Sequence, residues 1–541
     1  MSQLQISTRV RRLFHYLGDF EKGIIRVPAF QRDFEWDNTK KIKLFESIKN
    51  GYPIGSILFW RPDFTNLDDF KNFEANLIGA YQLPDRALDY FYILDGYQRL
   101  STLFGSLVNP ENTKLKRDNF LWEKKFNLIY DVNEDKIKTA RKITYEINEI
   151  PLFKFVDGDG LYDFQIKLFE HKINKEIADL YIERYKQFGK ALSSYDMPSV
   201  DMYGGKIEEA IEIFTRLNSE GAKITDDWKL SALSFNKDKN FRLGTEIDNL
   251  IQRLSKYNFN KLHRKIIFQC ITNSFDEVFF DQTNQGDISK LKKLVDNPSF
   301  IPISRNTLES IVNGVEFLSQ ELHVLDSKFL PYNNQLIFIT DFFNKLENPS
   351  QIQLEKLKNW FWVTTYSNYF TNYNLSKQRK AYEEFQKFLR DENYNPIYFD
   401  KPNAHFETVE FPPKIEMGSV RSKALGLFML QYQVENLPLD VNQVNGYKKY
   451  YLFSDIEDIN VSENTILIID NGEYPINKQN KDLSEWLNSS RDYSGFFISE
   501  EMKDMYKGAF SKLEILLKRK ELIIEKEKEF VETHLAIDYV T

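Results

Sequence analysis

The stretch that most constrains this chain is Tyr90-Phe-Tyr-Ile-Leu-Asp-Gly-Tyr-Gln-Arg-Leu-Ser-Thr-Leu-Phe-Gly105. Residues 90–94 are continuously apolar and aromatic, as in a buried strand. Asp95-Gly96 breaks the run, and Leu100, Leu103, Phe104 and Leu107 then recur at helical spacing. The pattern predicts strand, sharp turn and helix, with Asp95, Gln98 and Arg99 gathered where the helix begins. A helix N-terminus presents unpaired N–H groups and a positive dipole end, so it suits a phosphate. Gly96 lets a ligand approach the backbone, and Arg99 offers a planar fork for phosphate oxygens. The same residues also read structurally, with Asp95 as N-cap, Asp-Gly as a turn and Asp95–Arg99 as an i,i+4 surface pair.

Two further stretches turn this local pattern into a constellation. The first runs Arg26-Val-Pro-Ala-Phe-Gln-Arg-Asp-Phe-Glu-Trp36, and a helix and Tyr52-Pro-Ile-Gly-Ser-Ile-Leu-Phe-Trp60 follow it. The second is Phe214-Thr-Arg-Leu-Asn-Ser-Glu-Gly-Ala-Lys-Ile-Thr225, a helix stop with a left-handed glycine before a new helix start. Together they resemble the GmrSD-type restriction family. Pro28, Phe30, Gln31, Arg32, Phe34 and Trp36 match its first box. Asp95, Gly96, Gln98 and Arg99 match its Asp-Gly-Gln-Gln-Arg box, with Tyr97 replacing the first Gln. Phe214, Arg216, Leu217, Asn218, Gly221 and Thr225 match its third, with Ile224 in place of Leu.

The resemblance implies a ParB/sulfiredoxin-like N-terminal domain of α+β class that binds a nucleoside triphosphate with Mg2+. It casts Asp95, Gln98 and Arg99 as catalytic residues, Asp95 binding the divalent ion or orienting water. Arg32 and Arg99 would hold phosphates, and Gln31 and Gln98 would fix the ligand by hydrogen bonds. Gly96 and Tyr97 would lie against the nucleotide, while Arg216 and Asn218 cover its far side.

The chain of 541 residues has room for two or three domains. With 45 Phe, 29 Tyr, only 22 Gly and 17 Pro, it favours packed helices over flexible linkers. The net charge of −8 gives no global basic field for nucleic acid, although a local basic groove is compatible with it. The single cysteine, Cys270, lies in an apolar run and reads as a buried small residue, in keeping with a cytoplasmic protein. No apolar run approaches a bilayer span, so no membrane partner is expected.

Periodicity predicts a helix over 7–19, strands at 24–27 and 54–60, a helix over 37–49, and strands within 122–131 and 142–147. A long charged helix is expected over 162–193 and another over 206–217. Helices with short connections then fill 227–395, and the aromatic run Trp360-Phe-Trp-Val-Thr-Thr-Tyr reads as core. Residues 396–418 read as a connection. The run at 518–529 reads as a solvated helix face.

These boundaries give three domains: 1–225 nucleotide-binding, 226–395 helical, and 396–541 a smaller α+β remnant of the family's HNH-type nuclease. Where relatives carry histidines, this chain has Tyr447-Lys-Lys-Tyr-Tyr-Leu-Phe-Ser454. The functional expectation is an NTP-hydrolysing component of a prokaryotic restriction-type defence against foreign DNA. The alternative is a non-enzymatic module of such a system that binds DNA, a partner defence protein or itself.

Residues 440–480 contain no histidine, and His405 and His534 lie far apart in sequence. The region therefore does not supply the histidines that metal-assisted hydrolysis needs, and the purified protein should neither nick nor cut plasmid DNA efficiently on an agarose gel. Metal-dependent cutting that disappears on substitution within 440–480 would overturn this expectation. Cutting that depends on Asp95 would instead assign the nuclease to the N-terminal site.

Overall fold

The apolar run after Tyr90 becomes strand Phe91–Asp95, and the helix Tyr97–Leu107 follows after one residue. The computed structural model describes residues 5–28, 34–62, 77–140, 144–205, 243–275, 288–401, 405–437, 446–470 and 481–541, with 209, 212, 213 and 241. The chain divides into two compact units, Met1–Ile224 with Ser231–Arg242, and Thr225–Leu230 with Leu243–Thr541. The second unit takes in both the helical segment and the C-terminal segment.

In the first unit the described strands are β1 (Gln5–Arg12), β2 (Ile25–Arg26), β3 (Ile57–Arg61), β4 (Leu77–Ile78), β5 (Tyr81–Gln82), β6 (Phe91–Asp95), β7 (Leu128–Asp131), β8 (Lys136–Thr139), β9 (Glu149–Pro151) and β10 (Asp196–Tyr203). The helices are α1 (Leu13–Glu21), α2 (Asn38–Lys49), α3 (Tyr97–Leu107), α4 (Asn119–Lys125), α5 (Gly160–Glu170) and α6 (Lys175–Ser194). The main sheet has the order β1-β10-β3-β6-β2. β1 runs antiparallel to β10 and β3 antiparallel to β6, whereas β10 with β3 and β2 with β6 are parallel. Ile57, Phe59 and Ile93 of the sheet share one core with Leu13, Tyr16 and Phe20 of α1, Leu44, Phe45 and Ile48 of α2, and Leu100, Leu103 and Phe104 of α3. The fold is α+β, as expected.

Several boundaries differ from the sequence reading. The predicted helix over 7–19 is a strand as far as Arg12 and a helix only from Leu13. Ile6, Thr8 and Val10 alternate along β1, and β-branched residues favour the extended chain that β10 pairs over its full length. Trp122, read as strand, lies in α4, whose start Asp118 caps by accepting from Leu121 N. The charged helix over 162–193 is two helices, because Lys172 adopts φ 51° and Asn174 caps α6 by accepting from Glu176 N. The expected strand at 142–147 gives way to β8 and β9 on either side of β7.

The second unit is mostly helical. Helices Leu243–Arg253, Phe300–Glu321, Asn333–Lys345, Gln351–Tyr366 and Leu375–Arg390 fall within the 227–395 stretch expected to be helical. Trp360, Phe361, Trp362 and Val363 are buried as core. Tyr447–Tyr451 (β11) and Thr465–Ile469 (β12) pair antiparallel, and Lys448 pairs with Asp470 at 2.7 Å. Among the described residues, no helix is long and apolar enough to cross a membrane.

The run at 518–529 is not a uniformly solvated face. In helix Lys512–Phe530, Arg519 and Glu527 are buried alongside Ile515, Leu516 and Ile523. Arg421 donates two parallel hydrogen bonds to Glu527, Nη1 to Oε1 and Nη2 to Oε2, both 2.7 Å. Tyr366 and Tyr539 hydroxyls donate to the same carboxylate at 2.9 and 2.6 Å. Among the described residues, Arg519 pairs with no carboxylate. Its guanidinium donates to the carbonyls of Thr465 at 3.0 Å, Phe496 at 3.0 Å, and Glu463. Burial pushes it down to about 9.

A buried bidentate pair is costly to break from one side, because the surviving charge is left uncompensated. Glu527→Gln should therefore lower stability by about 3–5 kcal/mol in urea denaturation, and Arg421→Met/Glu527→Leu should recover much of it. An unchanged midpoint for Glu527→Gln would show that the pair is not carrying this unit.

Cys270 is buried, and burial pushes its thiol up to about 12. Raised above the ordinary thiol range, the group keeps its proton, and so lacks its nucleophilic form, throughout neutral pH. At pH 8 a colorimetric disulfide reagent should label it only after unfolding. Rapid labelling of the native protein would contradict this packing.

Candidate nucleotide site

The site follows from strand direction. β2 and β6 are parallel, Ile25 facing Phe91 and Arg26 facing Tyr92, so their C-terminal ends lie at the same end of the sheet. The first box leaves from one and the second box from the other. β3 runs against β6, with Leu58 opposite Asp95, so the Pro53-Ile-Gly55 segment entering β3 meets them at that end. β10 leaves the sheet at the other end, where Gly204 N donates to the Arg61 carbonyl.

Arg99 ties two of these segments together. Its Nη2 donates to Asp95 Oδ2 at 2.9 Å, and its Nη1 donates to the Ile54 carbonyl at 2.7 Å. Its side chain is 16% exposed against 37% for Asp95. Burial lowers the guanidinium below its ordinary range, and the Asp95 charge opposes that shift. Two of its five N–H groups are engaged, and the remainder bond to no atom among the described residues.

Two glycines make room for this guanidinium. Gly55 has φ +85°, and a Cβ there would lie 2.5 Å from Arg99 Nη1. Gly96 has φ +93°, and its Cβ would lie 2.4 Å from Ile57 Cδ1 and 3.4 Å from Arg99 Nη2. Gly96, rather than Asp95, is the N-cap of α3 and has no side chain to satisfy the first-turn N–H groups. Asp95 spends its side chain on Arg99 instead. The arrangement is a cation beside an uncapped helix N-terminus, with bare backbone on two sides, and it suits an anion.

Gln98 turns to the first box. Its Oε1 accepts from Glu35 N at 2.9 Å and Trp36 N at 3.3 Å. Tyr97 is half-buried and packs against the core of the unit. Gln31, Arg32, Arg216 and Asn218 lie outside the described residues. The described residues therefore bring together Asp95, Gly96, Gln98 and Arg99 with the exit of the first box. They add the Ile54 carbonyl and Gly55, which the sequence reading had marked only as the Pro-Ile-Gly before a strand. Among the described residues, no group of three or more His, Cys, Asp or Glu side chains is placed to hold a metal.

Residues 13–235 match the family model for the N-terminal domain of the GmrSD restriction endonuclease. Over 486 residues the chain is 22% identical to an uncharacterized protein of Methanocaldococcus jannaschii, an overlap of 83% of this chain and 79% of that one. All three boxes fall inside the matched span, as does the Ile54-Gly55 segment that meets Arg99. Over residues 13–235 the chain is thus similar to the N-terminal domain of the GmrSD restriction endonuclease.

Proposed function

We propose that the first unit binds a nucleoside triphosphate and hydrolyses it with Mg2+, serving a restriction-type defence against foreign DNA. The defence setting rests on the family match. The nucleotide reading rests on one observation, the glycine-flanked Arg99 guanidinium at the uncapped start of α3. A phosphate there would receive N–H groups from the helix start and from the arginine fork. Mg2+ typically takes one or two carboxylates and completes its shell with phosphate oxygens and water, a requirement that Asp95 with a bound triphosphate fits. The bound ion would neutralise charge on the phosphates. In this reading Arg99 holds phosphate while the Ile54 carbonyl and Asp95 hold Arg99 in place, and Asp95 positions the attacking water.

Incubation with each of the four nucleotides and Mg2+, followed by product analysis, tests hydrolysis directly. For binding, Arg99→Ala should lose a charge-assisted fork of about 1.5–3 kcal/mol, roughly ten- to hundred-fold in affinity by calorimetry. Arg99→Lys keeps the charge without the fork and should fall between. Unchanged affinity in a well-folded Arg99→Ala protein would remove the phosphate role from this arginine.

A further inference from the structure

The main chain leaving the first box is held from several sides, and two of the holders lie outside every box. Lys125, at the end of α4, donates its Nζ to the Phe34 carbonyl at 2.8 Å. The same ammonium lies 5.6 Å from the Phe34 ring centroid, and that ring packs on Phe126 at 4.6 Å. Lys41 of α2, only 2% exposed, donates in turn to the Lys125 carbonyl. From α3, Gln98 Oε1 takes the next two amides, Glu35 N and Trp36 N. Three consecutive residues thus have a main-chain group fixed by side chains from α3 and α4, and Lys41 braces the α4 end.

The choice of lysine here has an electrostatic cost. Neither Lys41 nor Lys125 forms an ion pair among the described residues, and the charged groups that act on Lys41 are Lys125 and its own helix cap Asp37. Burial first, and the Lys125 charge second, push Lys41 down to about 8. An apolar residue would fill a buried position at lower electrostatic cost. What a lysine adds is a donor long enough to reach a carbonyl on another element.

We propose that Lys125 and Lys41 are positioning residues of the N-terminal site: with Gln98 they fix the main chain at Phe34–Trp36, the point from which the first box meets the second. The ligand half of this inference rests on the nucleotide reading above. The main-chain half does not.

Amide hydrogen exchange and ATP–Mg2+ calorimetry on the full chain separate the two halves. In the wild type the Glu35 and Trp36 amides should exchange slowly. Gln98→Met should speed both by about three- to tenfold, while Gln98→Glu, which keeps an acceptor, should preserve protection. Lys125→Met should speed the same amides and weaken ATP binding by about tenfold, with Lys125→Arg restoring both. Unaltered exchange in Lys125→Met and Gln98→Met would overturn the proposal. Faster exchange with unchanged ATP affinity would also overturn it, reducing the lysines to a structural tie. If no nucleotide binds the wild type, the positioning role falls with the nucleotide reading, and the exchange data alone decide whether the tie exists. Should Lys125→Met fail to fold, the Gln98 pair still gives the same readout from the α3 side.

Discussion

The end of the main sheet is organised around a guanidinium withdrawn from water. Arg99 can sit there only because an acceptor meets it on each side, the Asp95 carboxylate and the Ile54 carbonyl. It also requires that no Cβ intrude from Gly55, while Gly96 keeps its own Cβ-free space against Ile57. A strand end, a helix start and the turn into a neighbouring strand are thereby joined through one side chain. A partly buried cation with spare N–H groups is an unusual thing to leave in a fold unless something anionic is to be held near it. The structural reading and the ligand reading of the Asp-Gly-Tyr-Gln-Arg segment are in this sense one arrangement, since the ties that hold Arg99 also pre-organise it.

What was legible in the sequence follows the strength of local signals. The strand–turn–helix at 91–107 was readable because a continuous apolar run, a glycine and a 3.6-residue stripe adjoin one another. That the first two boxes serve one ligand is what the resemblance implies; neither box discloses how they come together, which depends on β2 and β6 being parallel. Strand direction is set by the whole sheet. β1 misled because Val10, Leu13, Phe14 and Leu17 form a plausible helical stripe, yet Val10 belongs to an edge strand that the distant β10 pairs. Gln98 was read as a ligand contact from its place in the motif, and its acceptor reaches the backbone at 35–36, a non-local contact that no spacing reveals. Lys41 and Lys125 carried no sequence signal, being two lysines among many.

The second unit shows the opposite limitation, where charge pattern conceals burial. Along 518–529, acids and bases alternate as they would on a solvated helix, yet Arg519 and Glu527 face inward with Ile523 between them. The two are stabilised differently. Glu527 meets a guanidinium and two phenols, so its charge is matched by charge. Arg519 donates to backbone carbonyls among the described residues, and burial outweighs the opposing Glu463 charge, so its basicity falls. It cross-links carbonyls from two 3-10 turns and a strand start, places where local chain geometry leaves acceptors unpaired.

The Glu527 network also bears on the order of synthesis. Tyr366 and Arg421 are made long before their shared partner, and Tyr539 comes near the far end, where Val540 N also donates to Thr408. A ribosome-bound chain that has displayed 421 but not yet 527 and 539 holds a guanidinium whose buried position has no counter-charge, so it stays hydrated and its helix cannot dock. Closure of this unit is thus deferred until its distal residues emerge. During that interval the Trp362 and Tyr366 rings lack the cover that Phe530 later supplies, and exposed aromatic faces of this kind call for chaperone protection.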